Sequence, residues 1–212
     1  LLYSMDNENR FHFFEADIRI YDDIDRIIKE NNINQIYHFA AVVSVQESVE
    51  NPLFTNEVNV KGTLNILEAA RLNNVKKMLF SSSAAVYGDE PTLPKNEFSI
   101  THPISPYGCE KLIAEQYMNL YHELHGIDII IVRYFNVYGN RQSSSSDYSG
   151  VISIFNDKFK KSEIPIIYGD GNQYRDFINV KDVVNINQLL MNKSEIVSGI
   201  FCVGTSKKTS VN

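Results

Sequence analysis

The sequence predicts an α/β protein, a parallel β-sheet with helices on both faces. Strand-like and helix-like segments alternate along the chain, as parallel strands joined by crossovers require. Two strand-like runs, Ile36-Tyr37-His38-Phe39-Ala40-Ala41 and Ile127 to Arg133, are almost wholly apolar and lack polar alternation. That is the pattern of strands covered on both sides. A chain of 212 residues that is 43% hydrophobic can bury a core of that kind.

The elements follow in order. Phe11 to Ile18 reads as a strand ending in a polar turn. Asp22 to Asn31 reads as a short helix, with Ile24, Ile27 and Ile28 on one face. Gln35 to Ala41 is the next strand, and Asn51 to Leu72 a long helix with Val60, Leu64, Leu67 and Ala70 as its buried stripe. Val75 to Ser81 is a strand, Ile104 to His125 a helix, and Ile127 to Arg133 a strand. Right-handed crossovers would gather the strand carboxyl ends along one edge, where ligands bind.

After Tyr134 the texture changes. Arg141 to Gly150, with four consecutive serines, reads as an exposed loop. A helix at 151–161, a strand at 164–168, a Gly169-Asp170-Gly171 turn, a strand at 176–180, a helix at 183–191 and a strand at 199–203 complete the chain.

Composition narrows the function. A formal net charge of -6 with no run of Lys or Arg gives no electrostatic reason to expect nucleic acid. Two cysteines, Cys109 and Cys202, make neither a disulfide framework nor a metal cluster, and fit reduced thiols in a cytoplasmic protein. The apolar runs are too short for a membrane span. The chain opens on Leu1 and ends on Thr209-Ser210-Val211-Asn212, which resembles the start of a helix cap, so it reads as a fragment of a longer chain.

The chemistry lies in Phe80-Ser81-Ser82-Ser83-Ala84-Ala85-Val86-Tyr87-Gly88 and Tyr107-Gly108-Cys109-Glu110-Lys111. On a helix, the four-residue spacing puts Tyr107 and Lys111 on one face, a turn apart. A free phenol titrates near pKa 10, and a neighbouring ammonium favours phenolate, which would suit Tyr107 to acid/base work. A serine hydroxyl at the strand end could bridge the phenol and a substrate oxygen. Position alone leaves Ser81, Ser82 and Ser83 open. His38, inside an apolar strand, reads as structural, and Cys109 as a tolerated small side chain. Arg175 beside Asp176 could be a simple salt bridge.

An ordered set of motifs adds to this: Ala16-Asp17-Ile18-Arg19, His38-Phe39-Ala40-Ala41, Asn59-Val60-Lys61-Gly62-Thr63, the two segments above, Arg133-Tyr134-Phe135-Asn136-Val137-Tyr138-Gly139, and Gly169 to Phe177. In this order the chain resembles the NAD-dependent epimerase/dehydratase family, the extended short-chain dehydrogenase/reductases, and within it the UDP-glucose 4-epimerase group. The resemblance implies a Rossmann-like core over 1–138 lacking its first βαβ portion. It implies a partial substrate-binding lobe over 139–212, interleaved with the last core elements. It further implies NAD as cofactor, a UDP-sugar as substrate and a homodimer formed through the helices near 51–72 and 104–125.

Carried over by residue, the resemblance makes Tyr107 the base, Lys111 the group that holds the nicotinamide ribose and tunes Tyr107, and Ser83 the hydroxyl that contacts the sugar. Asp17 and Ile18 flank the adenine. Phe39, Ala40, Ala41, Asn59, Ser81 and Tyr134 lie along the cofactor, and Asn136 and Arg175 meet the substrate diphosphate. The family's dehydratases have Thr-Asp-Glu where this chain has Ser83-Ala84-Ala85, so epimerisation at C4 is the implied reaction. N-acetylated and uronic UDP-sugars remain alternatives to UDP-glucose and UDP-galactose. The family's Gly-x-x-Gly-x-x-Gly loop, which cradles a pyrophosphate, does not occur in these residues and would precede Leu1. The 212 residues by themselves are therefore expected to bind NAD weakly or not at all.

Overall fold

The computed structural model describes residues 11–142, 150–167, 169–195 and 198–212. Its centre is a four-stranded parallel sheet of β1 (Gln35–His38), β2 (Lys77–Ser83), β3 (Asp128–Tyr134) and β7 (Gly199–Val203), in the order β1-β2-β3-β7. Side chains alternate across a strand, and two cores result. Met78, Phe80, Ile129 and Ile131 pack with α1 (Tyr21–Glu30), α4 (Gly62–Leu72) and α5 (Pro106–His125) on one face. Leu79, Ile130 and Val132 pack with α7 (Val180–Asn192) on the other. The expected α/β architecture is present, and the sheet takes its fourth strand from the chain's last quarter.

Several expected elements differ. No strand forms over 11–17. The only ladder partner of β1 among the described residues is β2, so Phe11, Phe13 and Phe14 stay exposed. At Asp17 the chain turns, with the Ile20 N–H donating to the Asp17 carbonyl at 2.9 Å. β1 ends at His38 instead of Ala41, and it is an edge strand whose burial alternates. Tyr37 and Phe39 are 41% and 50% exposed and stack on each other, so the expectation of cover on both faces holds for β2 and β3 but not here.

The long helix expected over 51–72 runs from Pro52 as α3 (Pro52–Asn56), a π-helical stretch (Glu57–Lys61) and α4, with a separate short helix, α2 (Val45–Glu50), before it. The π turn shifts the phase of the buried face. Leu67 and Ala70 are fully buried as expected, but Val60 and Leu64 are only half-buried, and polar Thr55, Asn59 and Thr63 extend the stripe inward. Gly62 lets Ile18 reach the helix backbone: a Cβ there would lie 2.6 Å from Ile18 Cδ1.

β2 runs on to Ser83 and passes into a 3-10 turn, Ala84–Tyr87. In the last third lie β4 (Asn136–Tyr138) beside β6 (Phe177–Asn179), β5 (Tyr174–Arg175) beside β8 (Thr209–Ser210), and α6 (Val151–Lys160). The expected strand at 164–168 does not form over 164–167, where Ile164 and Ile166 are 88% and 64% exposed with no ladder partner among the described residues. Tyr168 and serines 143–146 of the expected loop lie outside the described residues. Asn179 caps α7 by accepting the Lys181 N–H, so Val180 belongs to the helix and not to the strand before it. No helix among the described residues is long and apolar enough to cross a membrane.

His38 sits at 3% exposure against α4, its Nε2 2.9 Å from the Thr63 hydroxyl. Burial, with the nearby Lys111 charge, pushes its pKa down to about 3. The folded protein therefore binds fewer protons here than the unfolded chain between about pH 6.5 and 3. Stability contributed by neutral His38 is complete above that window and is lost as pH falls through it. The expected loss is about 2 kcal/mol by about pH 5, measured as the difference in urea-unfolding free energy between neutral and acid buffer. His38→Gln should remove most of that slope.

Candidate active site

The carboxyl end of β2 separates the three serines. Ser81, Ser82 and Ser83 lie beside Val132, Arg133 and Tyr134 of β3. The buried Ser82 hydroxyl donates to Glu115 of α5. The Ser81 carbonyl accepts from Lys111 Nζ at 2.8 Å. Ser83 caps the 3-10 turn by accepting from the Ala85 N–H at 3.1 Å, and its side chain favours the phenolate of Tyr107.

Two close approaches bring α5 to this edge. Ser105 caps the helix by accepting from the Gly108 N–H at 3.1 Å. Gly108 packs against the 3-10 turn, where a Cβ would lie 2.7 Å from the Ala85 carbonyl oxygen. Gly108→Ala should push α5 away from Ser83. A loss of about 1–3 kcal/mol is expected by chemical denaturation. Gly88, at φ +58°, closes the turn against the His102 carbonyl.

Tyr107 and Lys111 share a face of α5, as their spacing predicts. Lys111 Nζ lies 4.9 Å from the Phe80 ring centroid and 5.8 Å from that of Tyr107. Lys111 is 4% exposed, and burial pushes its pKa down to about 8, against the carboxylates of Glu110 and Glu115, which favour the ammonium. Tyr107 is 8% exposed. Burial raises its pKa above the usual phenol value, the Ser83 hydrogen bond opposes this, and Glu110 adds to it. The lowered phenol expected from the neighbouring ammonium is therefore not found: exclusion of water from the phenolate is the largest influence.

At the end of β1, Phe39 and Ala40 are exposed and Ala41 is half-buried, which leaves an apolar ledge beside the Ser81–Ser83 edge. Asn59 stands behind this ledge at 2% exposure. Its Oδ1 accepts from the Val42 N–H at 2.8 Å, and its Nδ2 donates to the Val42 carbonyl at 2.9 Å and to Glu110 Oε2 at 2.6 Å. Asn59 thus holds the ledge from inside instead of lining it. Asp17 and Ile18 lie at the start of α1. The Asp17 carboxylate is taken up by Arg19, whose hydrogen bonds hold its pKa down at about 2. Ile18 packs into the core beside Gly62.

Tyr134 ends β3 next to Ser83, and its hydroxyl donates to Asn187 Oδ1 at 2.8 Å. Burial pushes its pKa up to about 12. Asn136 is exposed on β4. Arg175 is exposed on β5 and donates to the Tyr174 carbonyl at 2.9 Å. It does not pair with Asp176, whose carboxylate instead accepts from Thr205 and Ser206.

Sequence reasoning missed two buried carboxylates. Glu115, fully buried, accepts from Arg133 Nε at 3.0 Å and Nη2 at 2.7 Å, while Arg133 Nη1 donates to the Tyr87 hydroxyl at 3.0 Å. The signal was there: Glu115 continues the series Tyr107, Lys111 by another four residues. Glu110, 3% exposed, accepts from Thr55 at 2.7 Å as well as from Asn59. Its partners lie on another helix, 51 and 55 residues away in sequence, so nothing local announces it.

Residues 2–204 match the NAD dependent epimerase/dehydratase family. A Methanocaldococcus jannaschii protein, provisionally named a UDP-glucose 4-epimerase, is 47% identical over 202 residues, covering 94% of this chain and 64% of its own length. The UDP-glucose 4-epimerase of Mycolicibacterium smegmatis is 38% identical over 87% of this chain and 58% of its own length. Among solved structures, the UDP-N-acetylglucosamine 4-epimerase of Methanobrevibacter ruminantium, in complex with UDP-N-acetylmuramic acid, superposes with a TM-score of 0.90 at 37% identity, over 97% of this chain and 64% of that one. The Thermotoga maritima UDP-glucose 4-epimerase with UDP-glucose gives 0.89 at 34% identity, over 98% and 68%. The chain thus spans a little under two thirds of the length of these curated relatives. With its residues matched nearly end to end and its fold superposing closely on these enzymes, the chain belongs to the NAD dependent epimerase/dehydratase family.

Proposed function

We propose that the protein is an NAD-dependent 4-epimerase of a UDP-hexose, with UDP-glucose and UDP-galactose as the first pair to test. The observation that carries this reading is the meeting of Ser83, Tyr107 and Lys111 at one sheet edge: Ser83 ends β2 and caps the turn that Gly108 packs against, and Lys111 Nζ lies beside the Tyr107 ring. The residues present fit the cofactor. Phe39, Ala40 and Ala41 offer an apolar ledge at the strand carboxyl ends, and Lys111 has three N–H donors, of which the Ser81 carbonyl takes one. In this reading Asp17 and Ile18 flank the adenine, Tyr134 and Ser81 border the nicotinamide end, and Asn59 positions the ledge.

When bound, NAD supplies the acceptance and return of a hydride at the sugar C4. The remaining work falls to the chain's own groups. Tyr107 removes the proton from the C4 hydroxyl and returns it after the sugar has presented its other face. Ser83 bridges the phenol and the sugar oxygen. Lys111 stabilises the phenolate that forms and orients a ribose by hydrogen bonding. Asn136 and Arg175 bind the diphosphate, for which the charged fork of Arg175 is suited, and residues 139–212 supply this substrate side. Ala84 and Ala85 carry no titratable group, which favours epimerisation over dehydration.

The test is to incubate the full-length protein with UDP-galactose, without added reductant, and to follow UDP-glucose by NMR. Conversion is the expected result. Conversion of only the N-acetylated or uronic pair would keep the chemistry and change the substrate; conversion of none, with NAD bound, would overturn the reading. We extend it to a homodimer, supported by the exposed Val49, Leu53, Phe54, Leu120 and Leu124 on the α2–α4 and α5 stretches. Light scattering on the purified protein tests it.

A further inference from the structure

Glu110 is a buried carboxylate that the reaction above does not use. Burying a charge is costly unless it is paired and hydrogen-bonded, and this one is 3% exposed. Two neutral groups donate to it: Thr55 Oγ1 at 2.7 Å to Oε1, and Asn59 Nδ2 at 2.6 Å to Oε2. Asn59 in turn holds both backbone polar groups of Val42, just past the ledge at the end of β1. One carboxylate therefore joins α5, which carries Tyr107 and Lys111, to α3, the π turn and the loop after β1.

Its neighbour in sequence is the other buried charge of this helix end. Lys111 Nζ has a carbonyl acceptor and two aromatic rings around it and, among the described residues, no carboxylate within salt-bridge distance. Adjacent residues on a helix do not face each other, so Glu110 and Lys111 act on one another through the protein's low-dielectric interior. Around them, Tyr107 and Glu115 lie on the same helix and His38 on β1, while Arg133 of β3 is committed to Glu115. On the packed elements α2 and the π turn, Glu50, Glu57 and Lys61 are exposed, and Glu47 accepts from Asn51. Glu68 and Arg71 of α4 pair with each other.

We infer that Glu110 is a positioning residue. Its charge keeps the buried Lys111 an ammonium at neutral pH, and its two hydrogen bonds lock the catalytic helix to the Asn59–Val42 clamp behind the cofactor ledge. The inference rests on the function proposed above for the meaning of the ledge and of Lys111. The charge itself is open to a test that requires no turnover.

Glu110→Gln isolates the charge. A Gln oxygen still accepts from Asn59, and its amide donates to Thr55 Oγ1, because a hydroxyl both donates and accepts. The readout is the 13Cε resonance of Lys111 in full-length protein labelled at lysine, assigned by its absence in Lys111→Arg and titrated through the neutral and alkaline range. In Glu110→Gln the midpoint is expected to fall by about one pH unit, with the melting temperature little changed. An unchanged midpoint overturns the charge role. Glu110→Ala removes the hydrogen bonds too, and there NAD affinity is expected to fall about tenfold below that of Glu110→Gln, one lost hydrogen bond being worth about 1–1.5 kcal/mol. Equal affinity in the two variants overturns the locking role. If Glu110→Gln does not fold, the Ala variant's lysine titration decides the charge role by the same criterion. A protein that epimerises nothing would sink the proposed function and leave the lysine titration standing.

Discussion

On the proposed 4-epimerase reading, Tyr107→Phe is expected to lower turnover of the full-length protein by about 10²–10⁴-fold, the usual worth of a positioned acid/base, while the fold and the bound cofactor persist. The ring of Tyr107 fills a buried place between Lys111 and the Ser83 edge, and Phe keeps that volume. What disappears is the phenol hydroxyl, at a stability cost of about 1 kcal/mol at most. Turnover by NMR, cofactor content by absorbance and a thermal melt, all on one preparation, separate these effects. A variant within tenfold of the parent rate would move the acid/base role elsewhere. The raised phenol pKa adds a condition. Burial holds Tyr107 protonated in the protein without ligands, so the phenolate has to be formed with cofactor and substrate in place.

Glu115→Ala is expected to cost about 3–5 kcal/mol, because it strands the buried charge of Arg133. The pair is 2.7 Å apart at its closest, with side-chain exposures of 4% for Arg133 and 1% for Glu115. Burial works against the Arg133 charge, and hydrogen bonds to Glu115 and Tyr87 more than offset it, so the guanidinium is held firmly protonated. The same network ties Ser82 of β2, Arg133 of β3, Tyr87 of the 3-10 turn and Glu115 of α5, the elements that carry or flank Ser83, Tyr107 and Lys111. Replacing both partners at once, Glu115→Leu with Arg133→Met, removes the charges together and should recover much of the loss. Urea unfolding of the two singles and the double checks this. A single variant as stable as the parent would show the pair to be dispensable.

Legibility followed the range of the interactions. Helix and strand identity in β2, β3, α5 and α7 was readable because apolar periodicity is local, and so was the shared face of Tyr107 and Lys111. The Phe11–Ile18 strand was misread. Its aromatic pattern suits a strand, but a strand exists only where a neighbouring edge pairs with it, and pairing is not written in the segment itself. The long helix was readable as a length but not as a phase, since the π turn at Glu57–Lys61 rotates polar Asn59 and Thr63 inward.

The sequence by itself determined the layered α/β plan, the family, and the hydroxyl, phenol and ammonium in the order that the family's motifs require. All of these rest on spacing within a few residues or on the order of motifs along the chain. Only the tertiary structure gave the three serines their partners, because strand pleat and the docking of α5 assign the Ser82 hydroxyl to Glu115, the Ser81 carbonyl to Lys111 and the Ser83 hydroxyl to the Ala85 N–H of the 3-10 turn. It also decided the sign of the Tyr107 shift, since burial, its largest cause, is a property of the packed site. And it brought Glu110 to Thr55 and Asn59, a meeting of groups more than fifty residues apart that no local pattern encodes.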